Sequence, residues 1–274
     1  MAALILFLLN GCAGSPFADR ASSARAIASE KGWTGLVLAD SAFPLQAYMA
    51  PPRPTELLTI YIEGDGLAWR SRYVPSADPT PRDPVGLRLA VADPASAVAY
   101  LARPCQYQTS SMCSVAAWTS DRFSPAAVAA TNSAIDRLKI LFSARRVLLA
   151  GYSGGGVMAA VVAAGRTDVA GLLTIAAPLD VGAWVRHHDV APLSGSLDPV
   201  QCCAPLLARL PQRHVVGLRD DVVPRSVVDS YRRALPAAAA AGVLGVDSDH
   251  HCCYVTVWPG LAPRLRQAIL AKEE

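Results

Sequence analysis

The sequence predicts an α/β protein: a mainly parallel, eight-stranded sheet with an antiparallel start and helices on both faces. Three observations carry this. From residue 57 onward, short apolar runs alternate with helix-like segments, which is how strand–helix units build a sheet covered on both sides. Before that, two short apolar runs flank Phe43-Pro44 and read as a hairpin. In mid-chain, an apolar run meets a serine set among glycines and is followed at once by a second apolar run, in the order strand, sharp turn, helix. The chain has 274 residues, of which 52% are hydrophobic and 17% charged, so it can bury a large core. Its net charge of +3 is scattered, with Arg145-Arg146 and Arg232-Arg233 as pairs rather than patches, and no nucleic-acid partner is expected. Neither an internal repeat nor a domain linker is visible.

The elements follow in order. Residues 2–9 are continuously apolar, too short to span a bilayer and suited to the hydrophobic region of a secretion signal. Residues 19–31 are rich in Ala, Ser and Arg and read as a helix closed by Gly32. The hairpin occupies 35–39 and 45–49. A strand at 57–62 ends at Glu63-Gly64-Asp65-Gly66. A short helix at 85–91 leads to a strand at 97–102 and a long loop at 104–121. Ser124-Pro125 starts a helix to about residue 142, with serine at the cap and proline in the first turn. Strands follow at 147–150 and 170–176, then an irregular stretch at 178–199 and a partly helical one at 200–210. Strands at 214–217 and 241–246 alternate with helices at 224–235 and 259–272.

Gly151-Tyr152-Ser153-Gly154-Gly155 fits G-x-S-x-G and resembles the nucleophile elbow of the α/β-hydrolases. The demand is steric. The serine must project from a strained turn, and side chains at the flanking positions would strike the neighbouring strand and helix. The helix that begins there aims its first amides and positive end at the reaction centre. A glycine-rich turn without chemistry is the plain alternative. A dinucleotide fingerprint is another, but it needs the first strand–helix unit of the fold and an acid about 20 residues on, whereas this turn is in mid-chain and is followed by Asp168.

A serine nucleophile needs a base, and the base needs an acid to fix its tautomer. The chain supplies both in the order serine, acid, histidine. Gly217-Leu218-Arg219-Asp220-Asp221-Val222-Val223-Pro224 resembles the acid turn of α/β-hydrolases, and the resemblance maps the acid to Asp220. Asp221 and Asp180 remain alternatives. Asp249-His250-His251 follows the last strand. His250 is favoured because related chains carry H-x-C-C before an aromatic residue, which here reads His250-His251-Cys252-Cys253-Tyr254. The loop at 63–66 lies where the family keeps its first oxyanion donor, with Glu63 in place of the usual histidine. The resemblance assigns the oxyanion hole to the amides of Asp65 and Gly154. Trp69, just after that loop, is expected beside the substrate. The implied reaction is hydrolysis of a small acyl ester through an acyl-enzyme, with no cofactor.

Seven cysteines suggest an oxidising compartment. Leu9-Asn10-Gly11-Cys12 resembles the bacterial lipobox, which implies acylation of Cys12, a membrane attachment through that lipid and a place in the cell envelope. Ala13 favours the outer membrane. The domain reading is a signal peptide at 1–11, an anchor and helix at 12–34, and a hydrolase domain at 35–274. Cys105 and Cys113 are expected to bridge each other. One or two bridges are expected between the 202/203 and 252/253 pairs. A zinc site built from these and the histidines is the weaker reading, because adjacent cysteines seldom chelate one ion.

Overall fold

A computed structural model describes residues 16–237 and 239–271. Cys12, its apolar leader and the proposed boundary at residue 11 lie outside the described residues. The chain begins with α1 (Pro16–Ser29), followed by β1 (Thr34–Leu38), β2 (Leu45–Met49) and β3 (Leu57–Ile62). A small hairpin, β4 (Trp69–Ser71) and β5 (Val74–Pro75), precedes α2 (Val85–Ala92) and β6 (Val98–Leu101). Next come α3 (Val115–Trp118), α4 (Pro125–Leu141), β7 (Arg146–Tyr152), α5 (Gly154–Ala164) and β8 (Val169–Ile175). The chain closes with α6 (Val181–His188), α7 (Pro199–Leu207), β9 (Gln212–Gly217), α8 (Arg225–Ala234), β10 (Ala241–Val246) and α9 (Tyr254–Leu270).

Eight strands form one sheet in the order β1-β2-β6-β3-β7-β8-β9-β10. The β1–β2 and β2–β6 pairs are antiparallel and all other pairs are parallel, as the hairpin and the later strand–helix alternation predict. The central strands β7 and β8 are apolar but for Arg146 and Thr174, because helices cover both faces. Alternate residues divide between two cores: Leu149 packs with α4, α5 and α7, whereas Leu148 and Ala150 pack with α2 and α9. Burying both faces fixes the register, since a one-residue slip would exchange the two sets.

The sequence reading assigns no element to the β4–β5 hairpin and leaves α3 inside a loop, and two further elements differ from it. The stretch at 178–199 contains α6, capped by Asp180, whose Oδ1 accepts the Ala183 amide at 2.7 Å. The closing helix starts at Tyr254, not at residue 259. Tyr254, Trp258, Ala262, Leu265 and Ile269 form one buried stripe. Burial of that stripe outweighs the cost of Pro259 and Pro263 inside the helix.

Cys105 and Cys113 pair, as expected. The expected bridges between the other two pairs are absent: Cys202 pairs with Cys203, and Cys252 with Cys253. The sheet explains the difference. Cys203 lies in the core under α5 and α7, while Cys252-Cys253 leads into Tyr254 in the core under α2 and α9. Cys203 and Tyr254, the buried residues that anchor the two segments, therefore pack on opposite faces of the sheet.

Candidate active site

β7 runs through the middle of the sheet and delivers Ser153 at its C-terminal end, where open α/β sheets place their ligands. Ser153 has φ 51° and ψ −126°, outside the regions open to ordinary residues. Strain of this kind costs on the order of 1–3 kcal/mol and persists only where the surroundings enforce it. Here the Ser153 amide donates to the Ile175 carbonyl at 2.8 Å, and the Ser153 carbonyl accepts the Gly156 amide at 2.9 Å. The glycines are required: a Cβ at Gly151 would strike the Gly155 backbone, and one at Gly155 would strike the carbonyls of Ile62 and Glu63.

Ser153 Oγ lies 3.1 Å from His250 Nε2, and His250 Nδ1 lies 2.9 Å from Asp220 Oδ2. Asp220 is held as well as placed: its Oδ1 accepts the amides of Val222 (3.0 Å) and Val223 (2.7 Å). Both His250 and Asp220 are 6% exposed, so little water competes for the pair. The alternatives are engaged elsewhere. Asp221 is exposed. Asp180 caps α6 and accepts the Ser230 hydroxyl at 2.5 Å. Asp249 accepts the amides of His251 and Cys252, both at 2.8 Å, and these bonds are the main reason its pKa is lowered. His251 borders the same cleft but is exposed. His214, far along β9, is buried, which lowers its pKa to about 3, and its Nδ1 lies 2.9 Å from the Thr174 hydroxyl.

The 63–66 loop meets the elbow directly. A Cβ at Gly154 would collide with the Asp65 carboxylate. The Gly64 amide donates to Glu63 Oε1 at 2.9 Å. The amides of Asp65 and Gly154 donate to no protein acceptor among the described residues. Gly154 opens α5, where first-turn amides have no intrahelical acceptor. The Asp65 carboxylate, which would oppose an oxyanion if left bare, is paired. Arg103 Nη1 lies 3.4 Å from its Oδ1 and Arg122 Nε 3.3 Å from its Oδ2. Gln106 ties the loop down, donating to the Gly64 carbonyl at 2.9 Å and accepting the Arg103 amide at 3.0 Å.

Three residues here carry no sequence signal of their own roles. Tyr152 is the variable position of G-x-S-x-G, yet its hydroxyl donates to the His250 carbonyl at 2.7 Å and steadies the histidine loop. Arg103 and Arg122 lie in or beside the 104–121 loop, and only the fold brings them to Asp65. Ser153, His250, Asp65, Tyr152 and Arg122 line a cleft of about 420 Å³ together with Trp69 and Trp184. Trp69, expected beside the substrate, borders this cleft.

No known family profile matches the sequence. No curated protein matches it either. Solved structures do. A serine hydrolase homologue of the α/β type from Coxiella burnetii is 16% identical, with 87% of this chain and 96% of that one aligned at a TM-score of 0.55. An esterase from Pyrococcus furiosus is 11% identical, over 88% and 93% of the two chains, at 0.59. A bacterial membrane phospholipase A, described as a virulence factor, is 17% identical, over 94% and 92%, at 0.54. The protein has the α/β-hydrolase fold.

Proposed function

We propose that the protein is a serine hydrolase acting on carboxylic esters. The observation that carries this is the unbroken chain Ser153–His250–Asp220, with links of 3.1 and 2.9 Å. Ser153 Oγ attacks the ester carbonyl while His250 Nε2 takes its proton. Asp220 holds the ring so that Nε2 faces the serine and stabilises the imidazolium. Negative charge develops on the carbonyl oxygen, and the amides of Asp65 and Gly154 receive it. His250 returns the proton to the leaving alcohol, leaving an acyl-enzyme. Water, deprotonated by the same histidine, then frees the acid.

Peptidase or thioesterase chemistry would use the same groups, as would hydrolysis of any activated acyl compound. The ester reading is supported by the esterases among the similar structures, and the sequence carries no long apolar lid that would argue for a true lipase. Ser153→Ala is expected to abolish both fluorophosphonate labelling and ester hydrolysis while leaving the circular dichroism spectrum unchanged. Undiminished hydrolysis by that variant, or no labelling of the wild type, would sink the assignment. The latter would favour a non-catalytic envelope protein that kept the fold.

The proposed setting is the bacterial cell envelope, on the periplasmic side of the outer membrane, with Cys12 carrying lipid. Its support is the apolar run at 2–9 that ends in Leu9-Asn10-Gly11-Cys12. Among the described residues no helix is long and apolar enough to cross a membrane. Acyl chains supply attachment of about 0.8 kcal/mol per buried methylene. The intact mass of the mature, membrane-extracted protein is expected to match a chain beginning at Cys12 plus acyl groups. A chain beginning elsewhere, without acyl mass, contradicts the anchor.

A further inference from the structure

We propose that Arg122, backed by Arg103, recognises an anionic group, a carboxylate or a phosphate, carried by the ester that this cleft hydrolyses. The proposal rests on the hydrolase reading and adds the substrate class. The first argument is charge. Two guanidinium groups share one carboxylate, that of Asp65, so the cluster holds an excess positive charge. Arg103 and Arg122 are 4% and 6% exposed, and little water is present to dilute that charge. Burial lowers the Arg103 pKa only to about 10, with Asp65 opposing the fall, so it stays charged at neutral pH. None of the other acids around the cleft bonds to either arginine: Asp83 is paired with Arg88 at 2.5 Å, Asp220 is bonded to His250, and the carboxyl of Glu63 accepts three backbone amides. Arg82 adds a further, exposed cation at the mouth.

The second argument is the fork itself. Arg122 lines the cleft together with Ser153, His250 and Asp65. Its guanidinium is held over the Phe123 and Trp184 rings, with its carbon 5.4 Å from each ring centroid. Rings so placed fix its plane and orientation. Its Nε is buried without a hydrogen bond, and its two terminal amino groups donate to no protein acceptor among the described residues. A buried fork with unused donors, set beside a reacting centre, suits two oxygens of an anion. Neutralising Asp65 alone would need only one arginine.

The test compares pairs of esters that share the reacting ester group and differ in an added anionic group. One arm places the charge on the acid side, with phenyl hemisuccinate against phenyl butyrate. The other places it on the alcohol side, with acetylated glycerol 3-phosphate against acetylated glycerol. In at least one arm the wild type is expected to prefer the anionic ester in kcat/KM by about tenfold or more, the scale of charge-assisted hydrogen bonds. The arm that responds identifies which side carries the anion. Arg122→Gln is expected to collapse that preference toward unity, chiefly through KM, and Arg122→Lys to keep part of it. Two results overturn the proposal: a wild type with no preference in either arm, or an Arg122→Gln variant that loses activity on both esters of a pair equally. A purely structural arginine would give the second result. Because the wild-type ratio needs no variant, misfolding cannot hide the outcome. Failure of fluorophosphonate to label Ser153 would instead remove the hydrolase reading beneath it.

Discussion

His250→Ala is expected to lower kcat by about four to six orders of magnitude, the scale on which removing the base disables such triads, while His251→Ala keeps most of its activity. The two histidines are adjacent, both border the cleft, and their rings lie 5.2 Å apart, edge to face. Their surroundings separate them. His250 is buried, reaches Ser153 through Nε2 and Asp220 through Nδ1, and has its carbonyl pinned by Tyr152. The His251 backbone is tied to Asp249, and its side chain is exposed. Steady-state turnover per mole of folded protein, with the rate of fluorophosphonate labelling as a second readout, separates the two variants. If the large loss fell on His251 instead, the histidine loop would be out of register by one residue in solution. The chemistry would survive that result, but the arrangement drawn above would not.

The sequence speaks clearly where one local rule suffices. The central strands β3, β6, β7 and β8 stand out because strands covered on both faces must be mostly apolar along their length. The elbow is legible because Gly151 and Gly155 are each forced by a backbone that leaves no room for a Cβ. Asp220 and His250 follow from chain order once the elbow is accepted. What a local pattern cannot supply is a pairing across distance. Asp220 and Asp221 share one acidic turn, and only the amides of Val222 and Val223, together with His250, select the first. Cys202-Cys203 and Cys252-Cys253 look equally able to bridge each other until the fold packs Cys203 into one core and Tyr254, next to the second pair, into the other. Asp65 meets Arg103 and Arg122 across 38 and 57 positions of the chain, beyond any spacing rule. α6 is harder to read for another reason: its eight residues carry only a short apolar stripe, Val181, Trp184 and Val185, and of its residues only Val181 is buried.

Glu63→Ala is expected to cost roughly 3–5 kcal/mol of stability and to lower kcat by about a hundredfold or more. Glu63 stands where the family resemblance calls for histidine, and it is 1% exposed. Its Oε1 accepts the amides of Gly64 (2.9 Å) and Gly86 (3.0 Å), and its Oε2 accepts that of Leu87 (3.3 Å). The last two belong to the first turn of α2, whose own cap position, Pro84, offers no side-chain acceptor. Glu63 is thus a cap supplied from a distance, and it clamps the helix to the loop whose next amide is the proposed oxyanion donor. Alanine would leave three buried donors without an acceptor and free that loop. Glu63→Gln keeps one carbonyl oxygen for two of the three and should lose less of both quantities. Proton linkage gives an independent check. Burial pushes the Glu63 carboxyl up to about 7 against the pull of its three amides, whereas in the unfolded chain it titrates near 4.5. Between those values the folded protein holds a proton that the unfolded chain has released. The Glu63 contribution is therefore full below pH 4.5 and is lost as pH rises toward 7, a change of about 3 kcal/mol. Urea unfolding at pH 5 and pH 7 is expected to show that slope in the wild type and a smaller one in Glu63→Gln. Equal slopes in the two proteins, or an alanine variant as stable as the wild type, would mean that this carboxyl neither caps α2 nor braces the oxyanion loop.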